Sequence, residues 1–272
     1  MTKLKLKIID KTFAHDISSG MTPSKYIEWD RNVGDDEDLV FYTEDVVMQV
    51  NMNHKKRIAW LIENPVKRPH IYEWISKNNH LFDYVVTHNK TLLNQGENFL
   101  QQPCGGCWVD FENRRQHDKT KLVSMITSKK NNVPDHQKRH DIIKTHRGKI
   151  DVMGRGYRPI DKIEYGLSDY MFHIAMENEK IDFYFSEKLI NPIMTHTIPI
   201  YWGMPSIGDY FDTRGMLIFN EVDELNQILD SLNKELYDKM LPYAIKNFDI
   251  GQKYILSEDW MYANIFKKMG IL

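Results

Sequence analysis

Residues 170–203 read YMFHIAMENEKIDFYFSEKLINPIMTHTIPIYWG. The run Met171–Met176 is short, apolar and β-prone, and it stops at the polar pair Glu177-Asn178. That pattern predicts a strand whose carboxyl end carries two polar side chains. In open α/β sheets, ligands bind at the carboxyl ends of strands. A short loop leads to Tyr184, and Ser186 then reads as an N-cap with Glu187 and Lys188 in the first helical turn. A helix N-terminus offers free N–H groups and partial positive charge, and so favours phosphate. Lys188 opposes that dipole. It is either an exposed helix lysine or a cation kept there for an anion, and the sequence leaves both readings open.

Outward from this stretch, strands alternate with helices. Strands are predicted at Leu4–Ile9, Leu39–Tyr42, Arg57–Ile62 and Phe82–Thr87. A second series follows at Lys121–Thr127, Ile150–Met153, Met171–Met176, Thr197–Tyr201 and Met216–Phe219. Helices are predicted near Pro69–Lys77, Asp135–His146, Ser186–Thr195 and Val222–Asn233. In the last of these Leu225, Ile228, Leu229 and Leu232 line one face. Such alternation indicates an α/β protein with largely parallel sheets. The stretch Glu112–Thr120 holds no apolar residue and reads as a linker. Two Rossmann-like domains follow, residues 1–112 and 121–256. A C-terminal helix in residues 257–272 is expected to be capped by Ser257 and to pack back on the first domain.

Composition narrows the function classes. Of 272 residues, 42% are hydrophobic and 12% aromatic, enough for a core, so a disordered chain is excluded. The formal charge of −2 gives no general affinity for a phosphate backbone, and no nucleic acid is expected as partner. No signal peptide or membrane-length apolar run is present, which points to a cytoplasmic protein of microbial or viral type. Cys104 and Cys107 form a lone C-x-x-C with two glycines between them, read as a structural turn over a metal or redox site. There is no dinucleotide G-x-G-x-x-G, P-loop, G-x-S-x-G elbow or H-E-x-x-H. Asp36-Glu37-Asp38 matches a D-x-D literally but precedes its strand, so it reads as a solvated acidic loop. A basic group, Lys129, Lys130, Lys138, Arg139, Lys144, Arg147 and Lys149, brackets the first strand–loop–helix of the second half. Most of it is a solvated face, but Arg139 has the fork geometry that suits a diphosphate.

Taken together, Phe172, Glu177-Asn178, Tyr184, Ser186-Glu187-Lys188, Ile198-Pro199 and Gly203 resemble the hallmark of glycosyltransferase family 10, the alpha-1,3/1,4-fucosyltransferases. Ser186 stands where that family usually has Thr. Met176 replaces the usual aromatic or Cys, and Pro192 is less usual within the helix. Lys121–Arg139 resembles the family's strand–Ser–basic helix opening, and Asp151-Val152-Met153-Gly154 its Asp-Val-x-Gly strand. In the first half, Ala59–Pro65 resembles the Glu-x-Pro segment of the acceptor domain, less closely.

The resemblance implies a GT-B fold, two Rossmann-like domains facing across a cleft. It implies a GDP-fucose donor, a glycan acceptor, inversion by single displacement, and no cofactor or metal for the chemistry. Carried over by position, Arg139 and Lys188 fall on the diphosphate, and Glu187 and Tyr184 at the ribose or nucleoside. Asn178 falls on the donor phosphate or sugar, Ser186 at the cap, and Glu63 at the general base. Glu177 either holds the donor loop or faces the developing charge on the sugar. Trp60 and Trp202 are core residues or sugar platforms. Another nucleotide sugar on the same fold, and a non-catalytic sugar- or nucleic-acid-binding module, are the alternatives.

Overall fold

The computed structural model describes residues 2–11, 13, 17–130 and 134–272. The chain divides into two compact units. One gathers Met1–Gly106, Asp182–Tyr184 and Leu256–Leu272, and the other Cys107–Ile181 and Phe185–Ile255.

The first unit is built on β1 (Leu4–Ile9), β2 (Ile27–Asp30), β3 (Leu39–Thr43), β4 (Lys56–Trp60), β5 (Tyr84–Thr87) and β6 (Phe99–Gln101). All pairings are parallel, in the order β2-β1-β3-β4-β5-β6. Side chains alternate across the sheet, as the period of two demands. Ile58 and Trp60 enter one core with Leu6, Ile8, Phe41 and Val86. Ala59 and Leu61 enter the other with Val40, Tyr42 and Val85. Helix α1 (Pro69–Asn78) covers the second face with Ile71, Tyr72 and Ile75. A single turn, α2 (Lys90–Leu93), is capped by the Asn89 side chain.

The second unit holds β7 (Lys121–Ile126), β8 (Asp151–Met153), β9 (Tyr170–Met176), β10 (Ile198–Trp202) and β11 (Leu217–Ile218), parallel in the order β11-β10-β9-β7-β8. Strand β9 is central and buried at every position, which is why its sequence is apolar but for His173, whose Nδ1 pairs with the Ser124 hydroxyl at 2.8 Å. Around this sheet lie α3 (Pro134–Thr145), α4 (Glu187–Ile193), α5 (Val222–Ser231) and α6 (Lys234–Gly251). Leu225, Leu229 and Leu232 are buried and Ile228 packs beside them, as the spacing requires. The final helix, α7 (Ser257–Asn264), belongs to the first unit, where Met261 joins Ile265, Phe266 and Met269 in the core.

Several elements differ from the sequence-based expectation. The edge strands β2 and β6 have four and three residues, too few to show alternation. The 18-residue α6 went unforeseen because Pro242 interrupts its pattern, yet Tyr237, Met240 and Ala244 form a buried stripe. The residue before α7 is Leu256, so Ser257 is not its cap: its hydroxyl donates to the Cys104 carbonyl at 2.8 Å. Glu112–Thr120 is not a free linker. The Lys119 ammonium donates to the carbonyls of Ser168 and Thr195 at 2.9 Å each and to Thr197 Oγ1 at 2.8 Å. Among the described residues no helix is long and apolar enough to cross a membrane.

Candidate active site

In the second unit, the polar residues of the signature converge where β9 ends. Glu177 extends the pairing by one residue, its N–H donating to the Trp202 carbonyl at 2.9 Å. Its side chain is fully buried. Oε1 accepts from the Ser186 N–H at 2.8 Å and Oε2 from the Ser186 hydroxyl at 2.6 Å. Ser186 in turn caps α4, its hydroxyl accepting from the Lys188 N–H. The carboxylate of Glu177 therefore fixes the start of the helix through its cap.

Two cations share this place. Lys188 Nζ donates to Ser186 Oγ at 3.1 Å and Glu187 Oε1 at 2.9 Å, and lies 3.8 Å from Glu177 Oε2. Arg139, nearly buried on α3, donates through one terminal nitrogen to the Glu177 carbonyl at 2.8 Å and Asn178 Oδ1 at 2.9 Å. Burial works against the Lys188 charge, but the carboxylates of Glu187 and Glu177 outweigh it and raise the lysine above its ordinary value. Burial also pushes the Glu177 carboxyl up, against the pull of Lys188. The charge of Arg139 opposes that of Lys188, so an anion received here relieves repulsion as well as gaining attraction.

Gly203 is dictated by this packing. A Cβ there would sit 2.4 Å from the Tyr201 hydroxyl and 2.7 Å from Glu177 Cγ. Gly154, after β8, is required for a second reason: its φ of 110° is left-handed, and a Cβ would meet the Thr127 carbonyl oxygen at 2.2 Å. The rest of the basic group is spread out. Lys138 lies over the Trp202 ring at 4.8 Å, Lys129 over Tyr157 at 5.7 Å, and Lys149 pairs with Asp230.

In the first unit, Glu63 lies in the loop after β4. Its carboxylate is partly exposed and pairs with Lys67 at 2.7 Å. The Tyr72 hydroxyl donates to the Glu63 carbonyl and lies 3.4 Å from His88 Nε2. Tyr184, part of this unit, packs its ring 4.9 Å from that of His88. Burial drives His88 down to about 3, so it is neutral. Cys104 Sγ donates to the Ile62 carbonyl at 3.0 Å and lies 3.1 Å from His88 Nδ1. Cys107 is a buried free thiol in the other unit, and Gly105 and Gly106 between them take left-handed φ values. Trp60 and Trp202 are both buried, which excludes their ring faces as sugar platforms. In the acidic loop Glu37 accepts from the Gly34 N–H and Asp38 pairs with Lys55.

Two parallel α/β units of this order define a GT-B protein, and comparison with known structures agrees. A crystal structure of an alpha1,3-fucosyltransferase superposes with a TM-score of 0.60 at 19% identity, over 93% of this chain and 91% of that one. One titled as the alpha1,3-fucosyltransferase with GDP-fucose gives 0.53 at 19% identity, over 85% and 82%. Residues 116–248 match the model of Glycosyltransferase family 10 (fucosyltransferase) C-term. Over this segment, just under half of the chain, the sequence is similar to glycosyltransferase family 10. An alpha-(1,3)-fucosyltransferase, FucT, of Helicobacter pylori is 30% identical over 115 residues, 42% of this chain. The match spans 24% of that relative's length.

The structure adds residues that the sequence reading passed over or, for Cys104, read only as part of a turn. Glu44, Tyr72, His88 and Cys104 all surround the Glu63 loop. Glu44 was within reach of the strand-end rule, since it follows the carboxyl end of β3 directly. The other three are far apart in sequence and are united only by the sheet.

Proposed function

We propose that this chain is an inverting glycosyltransferase that moves L-fucose from GDP-fucose to a glycan hydroxyl, without a metal in the chemistry. The carrying observation is the Arg139–Glu177–Ser186–Lys188 cluster at the end of β9, inside the segment that matches family 10. The solved fucosyltransferase complex with GDP-fucose supports the choice of donor.

In this reading Arg139 and Lys188 receive the diphosphate, with Asn178 beside them and Glu187 and Tyr184 toward the nucleoside. Glu63 takes the proton of the acceptor hydroxyl as its oxygen bonds to the anomeric carbon. The bond from that carbon to the β-phosphate breaks on the opposite face, and its electron pair leaves with GDP. Negative charge grows on the diphosphate as this happens, and fixed cations are worth most at that moment. Glu177 contributes indirectly, by holding the cap and so the lysine.

The test is a titration of the purified chain with GDP-fucose, GDP-mannose, UDP-glucose and dTDP-rhamnose, followed by GDP release with a glycan acceptor, with and without EDTA. Saturable binding of GDP-fucose and EDTA-insensitive transfer are expected. Preference for a different nucleotide sugar would replace the donor, and binding without turnover would replace the enzyme reading.

A further inference from the structure

Glu44 opens the 3-10 turn Glu44–Gln49 directly after β3. It is a fully buried carboxylate with a φ of 47°, a left-handed conformation that a side chain disfavours. Its Oε1 accepts two main-chain hydrogen bonds, from Ile62 N–H at 2.5 Å and Glu63 N–H at 2.7 Å. Its Oε2 has no hydrogen-bond partner among the described residues. Burying a carboxylate half-satisfied in strained backbone costs the fold stability. A neutral acceptor would hold the same two N–H groups more cheaply.

What these bonds hold gives the reason. Ile62 and Glu63 together present two N–H groups and two carbonyls. Glu44 takes both N–H groups, the Cys104 thiol donates to the Ile62 carbonyl, and the Tyr72 hydroxyl donates to the Glu63 carbonyl. All four polar groups of this dipeptide are thus held by side chains from other elements. We propose that Glu44 is a positioning residue for Glu63, its ionised carboxylate fixing the loop that presents the base. This rests on the reading of Glu63 as the base.

The charged and titratable groups facing Glu44 are Glu63, Arg68 and Tyr72. Beyond them Asp45 pairs with Arg68 and His70. Burial pushes the Glu44 carboxyl up to about 7, the N–H bonds and Arg68 pulling down and the Glu63 carboxylate adding to the rise. Its charge state therefore changes within the working range of an enzyme. An ionised acceptor binds N–H groups about twice as strongly as a neutral one, so the grip on the loop weakens as the carboxyl protonates.

The experiment compares wild type, Glu44→Gln, Glu44→Ala and Glu63→Gln in transfer from GDP-fucose between pH 5.5 and 8.5. Glu44→Ala should lose on the order of tenfold to a hundredfold in kcat, the scale of a displaced catalytic group, with the KM for GDP-fucose unchanged. Glu44→Gln keeps an acceptor and loses the proton. Its rate should be flat where wild type climbs toward a midpoint near 7. A wild-type pH profile in Glu44→Gln, or a wild-type kcat in Glu44→Ala, overturns the proposal. Should the alanine variant fail to fold, the glutamine profile decides alone. Full transfer by Glu63→Gln would instead remove the base reading itself, an outcome separate from the first two.

Discussion

Glu177 grips Ser186 with both carboxylate oxygens, one on its N–H at 2.8 Å and one on its hydroxyl at 2.6 Å. A strand end and a helix start are thereby joined by one side chain. Removing the hydroxyl in Ser186→Ala leaves Glu177 Oε2 short of its donor in a buried place. A loss of about 1–3 kcal/mol in stability is expected. Threonine at 186 keeps the hydroxyl and should restore most of it. Chemical denaturation of the two variants provides the check.

Lys188 lies beside two carboxylates, so its removal acts twice. Lys188→Met takes a cation from the proposed diphosphate site and leaves Glu177 and Glu187 uncompensated. A loss of roughly 2–4 kcal/mol in transition-state stabilisation follows, seen in kcat/KM for GDP-fucose. Arg139→Lys keeps the charge but gives up the guanidinium, one terminal nitrogen of which donates to both the Glu177 carbonyl and Asn178 Oδ1. It should weaken GDP binding more than a conservative exchange at a surface arginine. Steady-state kinetics check the first, and titration calorimetry with GDP the second.

Glu63→Gln separates chemistry from binding. In the proposed mechanism the variant keeps shape and polarity but cannot accept the acceptor's proton. Transfer should fall by about two to four orders of magnitude, the usual worth of a positioned base. GDP-fucose affinity should be unchanged within error. Retained transfer would move the base elsewhere.

Buried Glu44 makes stability depend on pH with a definite sign. Its carboxyl titrates near 7 in the folded chain against an ordinary 4.5, so the folded state binds more protons between those values. The contribution is fully present below 4.5 and is lost as pH rises through 7. The span amounts to about 3 kcal/mol. Melting temperature should therefore drop from pH 5 to pH 8 more steeply in wild type than in Glu44→Gln. Equal slopes would show that the group titrates at its ordinary value.

How much of this was legible follows from where information lies along the chain. Strand β9 and its Glu177-Asn178 end could be read because a central strand is largely apolar and must stop somewhere polar. The Ser186 cap was legible because its partners lie two residues away. That Glu177 holds a loop was one of two readings left open by the sequence; that its partner is Ser186 was not legible, since it requires the loop to fold back and bring residue 186 to residue 177. Glu44, Tyr72 and Cys104 meet at Ile62-Glu63 only after β3, β4 and β5 have aligned. Their burial and pairing are products of the sheet and leave no trace in local pattern. Lys119 illustrates the reverse error, a polar residue in a polar stretch that nonetheless satisfies three acceptors inside the fold.

The first unit draws on three separate pieces of chain, the last of them Leu256–Leu272. Met261, Phe266 and Met269 fill its core beside Leu6, Ile8 and Phe41. During synthesis the sheet of this unit therefore keeps an apolar face uncovered until residues 256–272 have been made. A stop at codon 257 would spare Arg139, Glu177, Ser186 and Lys188 and cripple the unit whose sheet was synthesised earliest.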